Sequence, residues 1–192
     1  MIEVAPQRPT QFAPADRADD SQIEIDAAYF KRFPMLEQLL NAVPDIFIVV
    51  NAQRQIIFAN YLVLEQLGIQ AAQRVVGTRP GEAIQCQHAE NDTGVGGTSE
   101  ACKTCGALKA FMISLNGRKN VQECRITQKD GTALDFSVWA TPITIEGHLF
   151  SVFTLKDISH EKRRRALERI FFHDLLNTAG VITGFLDLVN EA

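Results

Sequence analysis

Four cysteines and one histidine are the residues whose types and spacing most directly indicate chemistry. Cys86 and His88 form a Cys-x-His pair, and after 13 intervening residues Cys102 and Cys105 form a Cys-x-x-Cys pair. Three thiolates and one imidazole supply the four ligands that zinc takes in tetrahedral structural sites. The spacing therefore predicts a zinc site that joins the two pairs.

The same side chains support other hypotheses. Four thiolates ligate an iron–sulfur cluster, and the chain has four cysteines: Cys86, Cys102, Cys105 and Cys124. Cys102 and Cys105 lie one turn apart at a predicted helix start, where the helix dipole favours thiolates, so a plain redox pair is a third hypothesis. The fourth is that all these residues are small buried side chains or free thiols without a cofactor.

A second candidate site lies in a stretch without proline from His160 to Val189. Placing residues about 100° apart around a helix puts its apolar side chains on one broad stripe. The stripe contains Leu167, Phe171, Leu175, Ala179, Ile182, Leu186 and Val189, and Ile170, Phe172 and Leu176 widen it. His173 falls almost opposite the stripe's centre, on the same face as Asn177, Gly180 and Gly184.

The predicted exposure of His173 has a chemical consequence. An exposed neutral imidazole is a usable nucleophile at neutral pH, and Asp174 beside it could orient the ring or accept a proton. The alternative is that His173 is one more polar residue on a solvated helix face. One helix cannot bury so wide a stripe, which suits a helix bundle, so we expect a homodimer through this C-terminal helix.

The elements that position these groups follow from the hydrophobic pattern. Residues 1–22 contain three prolines and few large apolar side chains, which predicts a disordered tail. Residues 23–43 repeat apolar side chains at helical spacing and predict an N-terminal helix, kinked or restarted at Pro34. Residues 159–192 form the predicted long C-terminal helix.

Between these helices, residues 44–158 predict one α+β domain with a five-stranded antiparallel sheet and flanking helices. Two strands form a first hairpin, and three more follow the helices. The predicted strands are residues 46–50, 55–59, 121–127, 132–140 and 149–155, and the predicted helices are residues 61–67, stopped by Gly68, and 99–115. The long glycine-rich segment between the helices is where such a domain carries function.

This order of elements resembles the PAS family over residues 35–159. Three places carry the likeness: Asn60 after the second strand, the Lys129-Asp130-Gly131 turn, and the Asp157-Ile158-Ser159 junction. The first hairpin departs from the family pattern, because Asn51-Ala52-Gln53-Arg54 lacks the usual aspartate and glycine. The resemblance implies a sensor domain. It does not imply a flavin photoreceptor, because the family's Asn-Cys-Arg-Phe motif is missing.

Two further segments resemble parts of bacterial kinases. Residues 97–107 are similar to a cysteine-rich subset of PAS kinases, which often carry another cysteine where Gly96 stands here. The segment His173-Asp174-Leu175-Leu176-Asn177 resembles the phosphoacceptor motif of histidine kinases, although Ala179 and Gly180 replace the usual proline. That resemblance implies phosphorylation of His173, a dephosphorylating water positioned by Asn177, and two partners: a kinase ATP-binding domain and a response regulator.

The composition narrows the class of protein. The net charge is −4, with 19 Lys and Arg against 23 Asp and Glu, which argues against a general nucleic-acid surface. No run of about 18 apolar residues predicts a membrane span, and no apolar signal core is present near the N-terminus. We therefore expect a cytoplasmic protein, in which cysteines are free, metal-bound or redox-active more often than paired in structural disulfides.

Together these patterns predict the sensory input and phosphoacceptor portion of a two-component sensor histidine kinase that responds to redox state or metal. No glycine-rich nucleotide-binding module follows His173, so we expect this chain by itself to bind no ATP. The rival hypotheses are a metal-binding PAS dimerisation module without phosphotransfer, and a thiol redox protein.

Overall fold

A computed structural model of the chain describes residues 13–32, 34–66, 75–89 and 96–190. The chain divides into two units, one that ends at Asp157 and one that begins at Ile158. In the part that is described, no helix has both the length and the apolar character needed to cross a membrane.

The first unit is built on a five-stranded antiparallel sheet with the order β2-β1-β5-β4-β3, which confirms the predicted fold class. The apolar, β-branched run of β1 pairs with β5 in the middle of the sheet, and β3 lies at one edge. The strands are β1 (Ile46–Val50), β2 (Ile56–Ala59), β3 (Asn120–Thr127), β4 (Ala133–Ile145) and β5 (His148–Asp157).

Each turn of the sheet has a local cause. Gly131 and Gly147 take left-handed backbone angles, with φ of 88° and 85°, in the turns before β4 and β5, as glycine allows. In the β1–β2 turn, the side-chain oxygen of Asn51 accepts hydrogen bonds from the amides of Gln53 and Gln55, at 3.1 and 2.9 Å. Asn51 thus closes the turn that lacks the usual aspartate.

Six α-helices and a short 3-10 helix are described. They are α1 (Asp20–Lys31), α2 (Pro34–Asn41), α3 (Tyr61–Gln66), α4 (Pro80–Ala83), the 3-10 helix Glu100–Thr104, α5 (Gly106–Leu115) and α6 (Ser159–Asn190). The predicted helix over residues 99–115 is interrupted at Cys105, whose backbone is extended. Pro34 starts a new helix, as predicted, because proline fits the first turn. Gly68, the predicted stop of α3, lies outside the described residues.

The sequence predicts a disordered tail over residues 1–22, but the described part of this segment makes contacts with the rest of the domain. Ala13 is fully buried, and the carbonyls of Pro14, Ala15 and Asp16 accept hydrogen bonds from arginine side chains of the domain. Helix α1 begins at Asp20, where the side chain of the preceding residue, Asp19, accepts from the Gln22 amide at 2.8 Å. Composition predicts disorder here, but hydrogen bonds from distant arginines hold the carbonyls of residues 14–16. Residues 1–12 lie outside the described part.

The sheet is buried on both faces near its centre. On one face, Val50, Phe111 and Phe153 belong to the core formed with α5. On the other face, Phe30 of α1 packs with Val49 and Phe150. Burial on both faces explains why β1 is a continuous apolar run without alternation.

Asn60 links the start of the sheet to the helix before it. It is fully buried, and its side-chain oxygen accepts from the Phe47 amide at 3.0 Å. Its amide nitrogen donates to the carbonyls of Asp45 and Leu40, at 2.9 and 3.2 Å. These three bonds give a structural reason for asparagine at the position that the sequence singled out.

The start of α5 lies against the main chain of β3. A Cβ atom at Gly106 would come 2.0 Å from the carbonyl oxygen of Glu123, far inside any allowed contact. Only glycine lets the first turn of α5 approach the strand so closely.

Gly106→Ala should therefore destabilise the domain by about 2 kcal/mol or more, because backbone must move to admit the methyl group. Urea unfolding followed by circular dichroism measures this difference. Gly81→Ala in α4 is the matched control, since its Cβ would meet only the Cys86 Cβ, at 3.9 Å. Equal stability of the two variants would contradict the close contact.

Candidate functional site

A cavity of about 120 Å³ lies between the sheet and the helical segments of the first unit. Its walls are mainly apolar, with Ile48 and Val50 of β1, Phe153 of β5 and Phe111 of α5 among them. Four sequence-predicted ligand residues also line it: Cys86, His88, Cys102 and Cys105. The fold thus brings residues from separate segments around one cavity.

Each cysteine is held by a different element. Cys86 precedes His88 and pairs with Gln128 in an isolated β-bridge. Cys102 is buried in the 3-10 helix, where its sulfur lies 3.2 Å from the hydroxyl of Ser99. Cys105 caps the start of α5, and Cys124 is buried on β3.

The predicted metal ligands do not come together as one set. In the ranges that the structure describes, no group of three or more His, Cys, Asp or Glu side chains is placed to hold a metal ion. His88 contacts the amide of its neighbour Gln87 at 3.1 Å. Both the zinc site and the iron–sulfur site therefore stay predictions.

The closest contact between thiols joins Cys105 to Cys124, with 3.6 Å between the sulfur atoms. The sequence suggested Cys102 as the redox partner of Cys105 because of their Cys-x-x-Cys spacing. Nothing in the spacing of residues 105 and 124 reveals the observed pair. It depends on the close approach of α5 to β3 at Gly106.

The pKa values of the two paired thiols are shifted in opposite directions. A hydrogen bond from the Cys124 thiol lowers the pKa of Cys105 to about 6, and backbone amides of Leu108 and Ala107 at the start of α5 add to the effect against the cost of burial. Donation of that hydrogen bond and burial raise the pKa of Cys124. Burial also raises the pKa of Cys86. Cys105 is thus the thiol of this pair that is ionised near neutral pH.

Two buried arginines line the same cavity, and the sequence analysis missed both. Arg79 is 1% exposed and donates to the carbonyls of Gln53, Gly96, Ala15 and Asp16, at 3.3, 3.2, 3.1 and 2.7 Å. Burial and the nearby Arg54 lower the pKa of Arg79 to about 10, so it stays charged. In the sequence, Arg79 stands out only by its position just before Pro80 at a helix start. This position does not indicate that its side chain is buried.

Arg54 occupies the β1–β2 turn with a left-handed backbone, at φ 67°. Its guanidinium donates to the Pro14 carbonyl and lies against Gly97, whose added Cβ would be 3.4 Å from it. Burial lowers the pKa of Arg54, while the neighbouring Cys102 and Asp16 oppose that shift. The Arg54 Nε atom is buried and has no hydrogen-bond partner among the described residues.

The second unit, α6, carries the other predicted site. The amide of Asn177 lies 3.1 Å from Nδ1 of His173, and the carboxylate of Asp174 lies 3.4 Å from the same nitrogen. The side chain of His173 is 72% exposed. All three predicted residues therefore lie together on an accessible face of the helix.

Large apolar side chains of α6 are exposed in the single chain. They are Leu167, Ile170, Phe171, Phe172, Leu175, Leu176, Val181 and Ile182. So many exposed apolar side chains on one helix are typical of an interaction surface. The side chains of Leu186 and Val189, which the sequence places on the same stripe, lie outside the described part.

Comparisons with known proteins agree with this architecture. The family model of the PAS fold matches residues 35–158, more than half of the chain. The chain therefore belongs to the PAS family. The PAS domain covers residues 35–158, and the cavity lies inside that domain. No curated protein matches the sequence.

Solved structures of PAS domains are similar in fold. The PAS domain of nitrogen regulation protein NR(II) from Vibrio parahaemolyticus is 20% identical, with TM-score 0.48, and the match covers 64% of this chain and 96% of that one. The PAS domain of an HTR-like protein from Haloarcula marismortui is 17% identical, with TM-score 0.45 and coverages of 67% and 98%. An RNA-binding light-oxygen-voltage receptor is 13% identical, with TM-score 0.52 and coverages of 89% and 43%.

The acidity of Cys105 predicts an unusual pH profile. Its alkylation by iodoacetamide should be half-maximal near pH 6 and nearly constant above about pH 7, because only the thiolate reacts and an ordinary thiol ionises near 8.5. Pulsed labelling of chelator-treated protein, followed by mass spectrometry of the peptide with Cys105, measures the rate.

Cys124→Ala is the control, because it removes the thiol that donates to Cys105. Its profile should shift to higher pH. A wild-type rate that still rises tenfold between pH 7 and 8.5 would contradict the predicted acidity.

Proposed function

We propose that this chain is the sensory input and phosphoacceptor portion of a two-component sensor histidine kinase in the cytoplasm. The PAS domain detects the cue, and His173 accepts a phosphoryl group. The observation that carries the proposal is the arrangement on α6, where an exposed imidazole lies within 3.4 Å of both Asp174 and Asn177.

The chemistry of phosphoryl transfer suits this arrangement. Such transfer depends mainly on positioning and on electrostatic stabilisation. An imidazole that is 72% exposed leaves room for a separate ATP-binding domain to present the phosphoryl group in line. Asp174 orients the ring and accepts its remaining N–H proton as the N–P bond forms, because bond formation at one ring nitrogen places a positive charge on the imidazole.

Asn177 supports the removal of the phosphoryl group from His173. Its carboxamide lies beside the imidazole and can position a water molecule for attack on the phosphorylated histidine. A response regulator that docks on the same open face competes with this water for the phosphoryl group. One face of α6 thus serves the ATP-binding domain, the response regulator and the hydrolytic water in turn.

The apolar face of α6 supports a homodimer. Fully burying one leucine or phenylalanine side chain contributes about 1.5–3 kcal/mol, and among the described side chains of this helix eight large apolar ones are exposed in one chain. A second copy offers the same stripe, so two chains bury their stripes together and leave both imidazoles accessible.

Phosphotransfer is tested by incubating the chain with the ATP-binding domain of its own kinase and labelled ATP. Wild-type protein should be labelled, and the label should be labile to acid, because phosphohistidine has a P–N bond. His173→Gln should lose the label completely, since its carboxamide is not a nucleophile.

His160→Gln is the matched control, because His160 is an exposed histidine of the same helix, and it should be labelled like wild type. Equal labelling of both variants would refute the assignment to His173. A dimeric wild-type chain that takes no label would favour the rival function, a dimerisation module without phosphotransfer.

The dimer is tested by sedimentation at several concentrations. Leu175→Glu should weaken association at least about a hundredfold, because each interface would bury two carboxylates in place of two leucines. Arg169→Glu, at an exposed position away from the stripe's centre, should change association little. A monomeric wild-type chain at millimolar concentration would rule out the dimer.

A further inference from the structure

The Cys105–Cys124 pair is not absorbed by the proposed function. The two sulfurs are 3.6 Å apart, and both cysteines are free thiols in this structure. They come from different elements, one from the cap of α5 and the other from β3. Because the two cysteines are distant in sequence, their sulfurs lie close together only while the domain is folded.

We propose that Cys105 and Cys124 form a dithiol site that a hydroperoxide oxidises to an intramolecular disulfide. The substrate class is hydrogen peroxide or a small organic hydroperoxide. The site goes beyond the phosphotransfer role and does not depend on it.

The geometry favours this pair over any other pair of cysteines. A disulfide needs sulfurs about 2.0 Å apart, so these two sulfurs, 3.6 Å apart, must approach by about 1.6 Å. The backbone beside them is already fixed, because Gly106 follows Cys105 and lies against the Glu123 carbonyl just before Cys124. By contrast, Cys102 points its sulfur to Ser99, at 3.2 Å.

The surroundings assign different roles to the two thiols. Cys105 lines the cavity and is half-buried, so a small oxidant that enters the cavity reaches it. The nucleophile in thiol chemistry is the sulfur that the oxidant can reach, and access from the cavity assigns that role to Cys105. Cys124 is 2% exposed, is absent from the cavity lining, and serves as the resolving thiol.

The reaction balances in two steps. The Cys105 thiolate attacks one oxygen of the hydroperoxide, the O–O bond breaks, and the alkoxide leaves and takes a proton, which gives a sulfenic acid. The Cys124 sulfur then attacks the Cys105 sulfur, and hydroxide leaves as water with the Cys124 proton. In sum, two thiols and one hydroperoxide give one disulfide, one alcohol and one water. The sulfurs lose two electrons, and the peroxide gains them.

The sequence provides a sharp test, because trypsin separates the cysteines. Cys105 falls in the peptide of residues 104–109, Cys124 in residues 120–125, and both remaining cysteines in residues 75–103. Full-length protein is dialysed against EDTA, treated with one equivalent of hydrogen peroxide, blocked with N-ethylmaleimide and digested. The free-thiol count should fall from four to two, and peptides 104–109 and 120–125 should appear cross-linked.

Variants supply the controls. Cys102→Ser and Cys86→Ser should still form the same cross-linked peptide, whereas Cys105→Ser and Cys124→Ser should not. The wild-type peptide map decides the question even if a variant folds poorly. A count that stays at four, or a disulfide that joins residues 75–103 to residues 104–109, would overturn the proposal. Phosphorylation of His173 is not part of this measurement, so failure here leaves the proposed function untouched, and the reverse also holds.

Discussion

The fold around the cavity depends on one buried cation. The Arg79 guanidinium donates to carbonyls from three separate segments: the N-terminal stretch at Ala15 and Asp16, the first hairpin turn at Gln53, and the glycine-rich segment at Gly96. A charge this deeply buried is costly unless it is fully bonded, so the three segments must meet at one place. This requirement fixes the position of one wall of the cavity.

A second constraint is the contact between Gly106 and the Glu123 carbonyl. It fixes how closely α5 lies on the edge strand, and it therefore decides which thiols meet. The short distance between Cys105 and its buried partner Cys124 thus depends on the absence of a side chain at Gly106. Chemistry in this domain thus arises from main-chain packing that brings ordinary residues close together.

Local patterns were enough to predict the sheet, because alternation in β4, the continuous apolar run of β1 and the Lys129-Asp130-Gly131 turn depend on neighbours in sequence. The helical face with His173 and Asn177 was predicted for the same reason. Contacts between distant segments could not be predicted from these local patterns. Burial of Arg79 runs against the usual exposure of arginine, the partner of Cys105 lies 19 residues away, and residues 14–16 are bonded by arginines far along the chain.

Arg54 shows how narrow the choice of residue can become at a single position during evolution. Its left-handed backbone, at φ 67°, would suit glycine or asparagine better by about 1 kcal/mol. Neither is long enough to reach the Pro14 carbonyl that the guanidinium bonds. A lineage that adopted glycine here would relax the turn and lose the hydrogen bond to Pro14, whereas one that kept the anchor would retain a conformationally unfavourable arginine. Backbone preference and long-range anchoring therefore select for opposite residues at the same site.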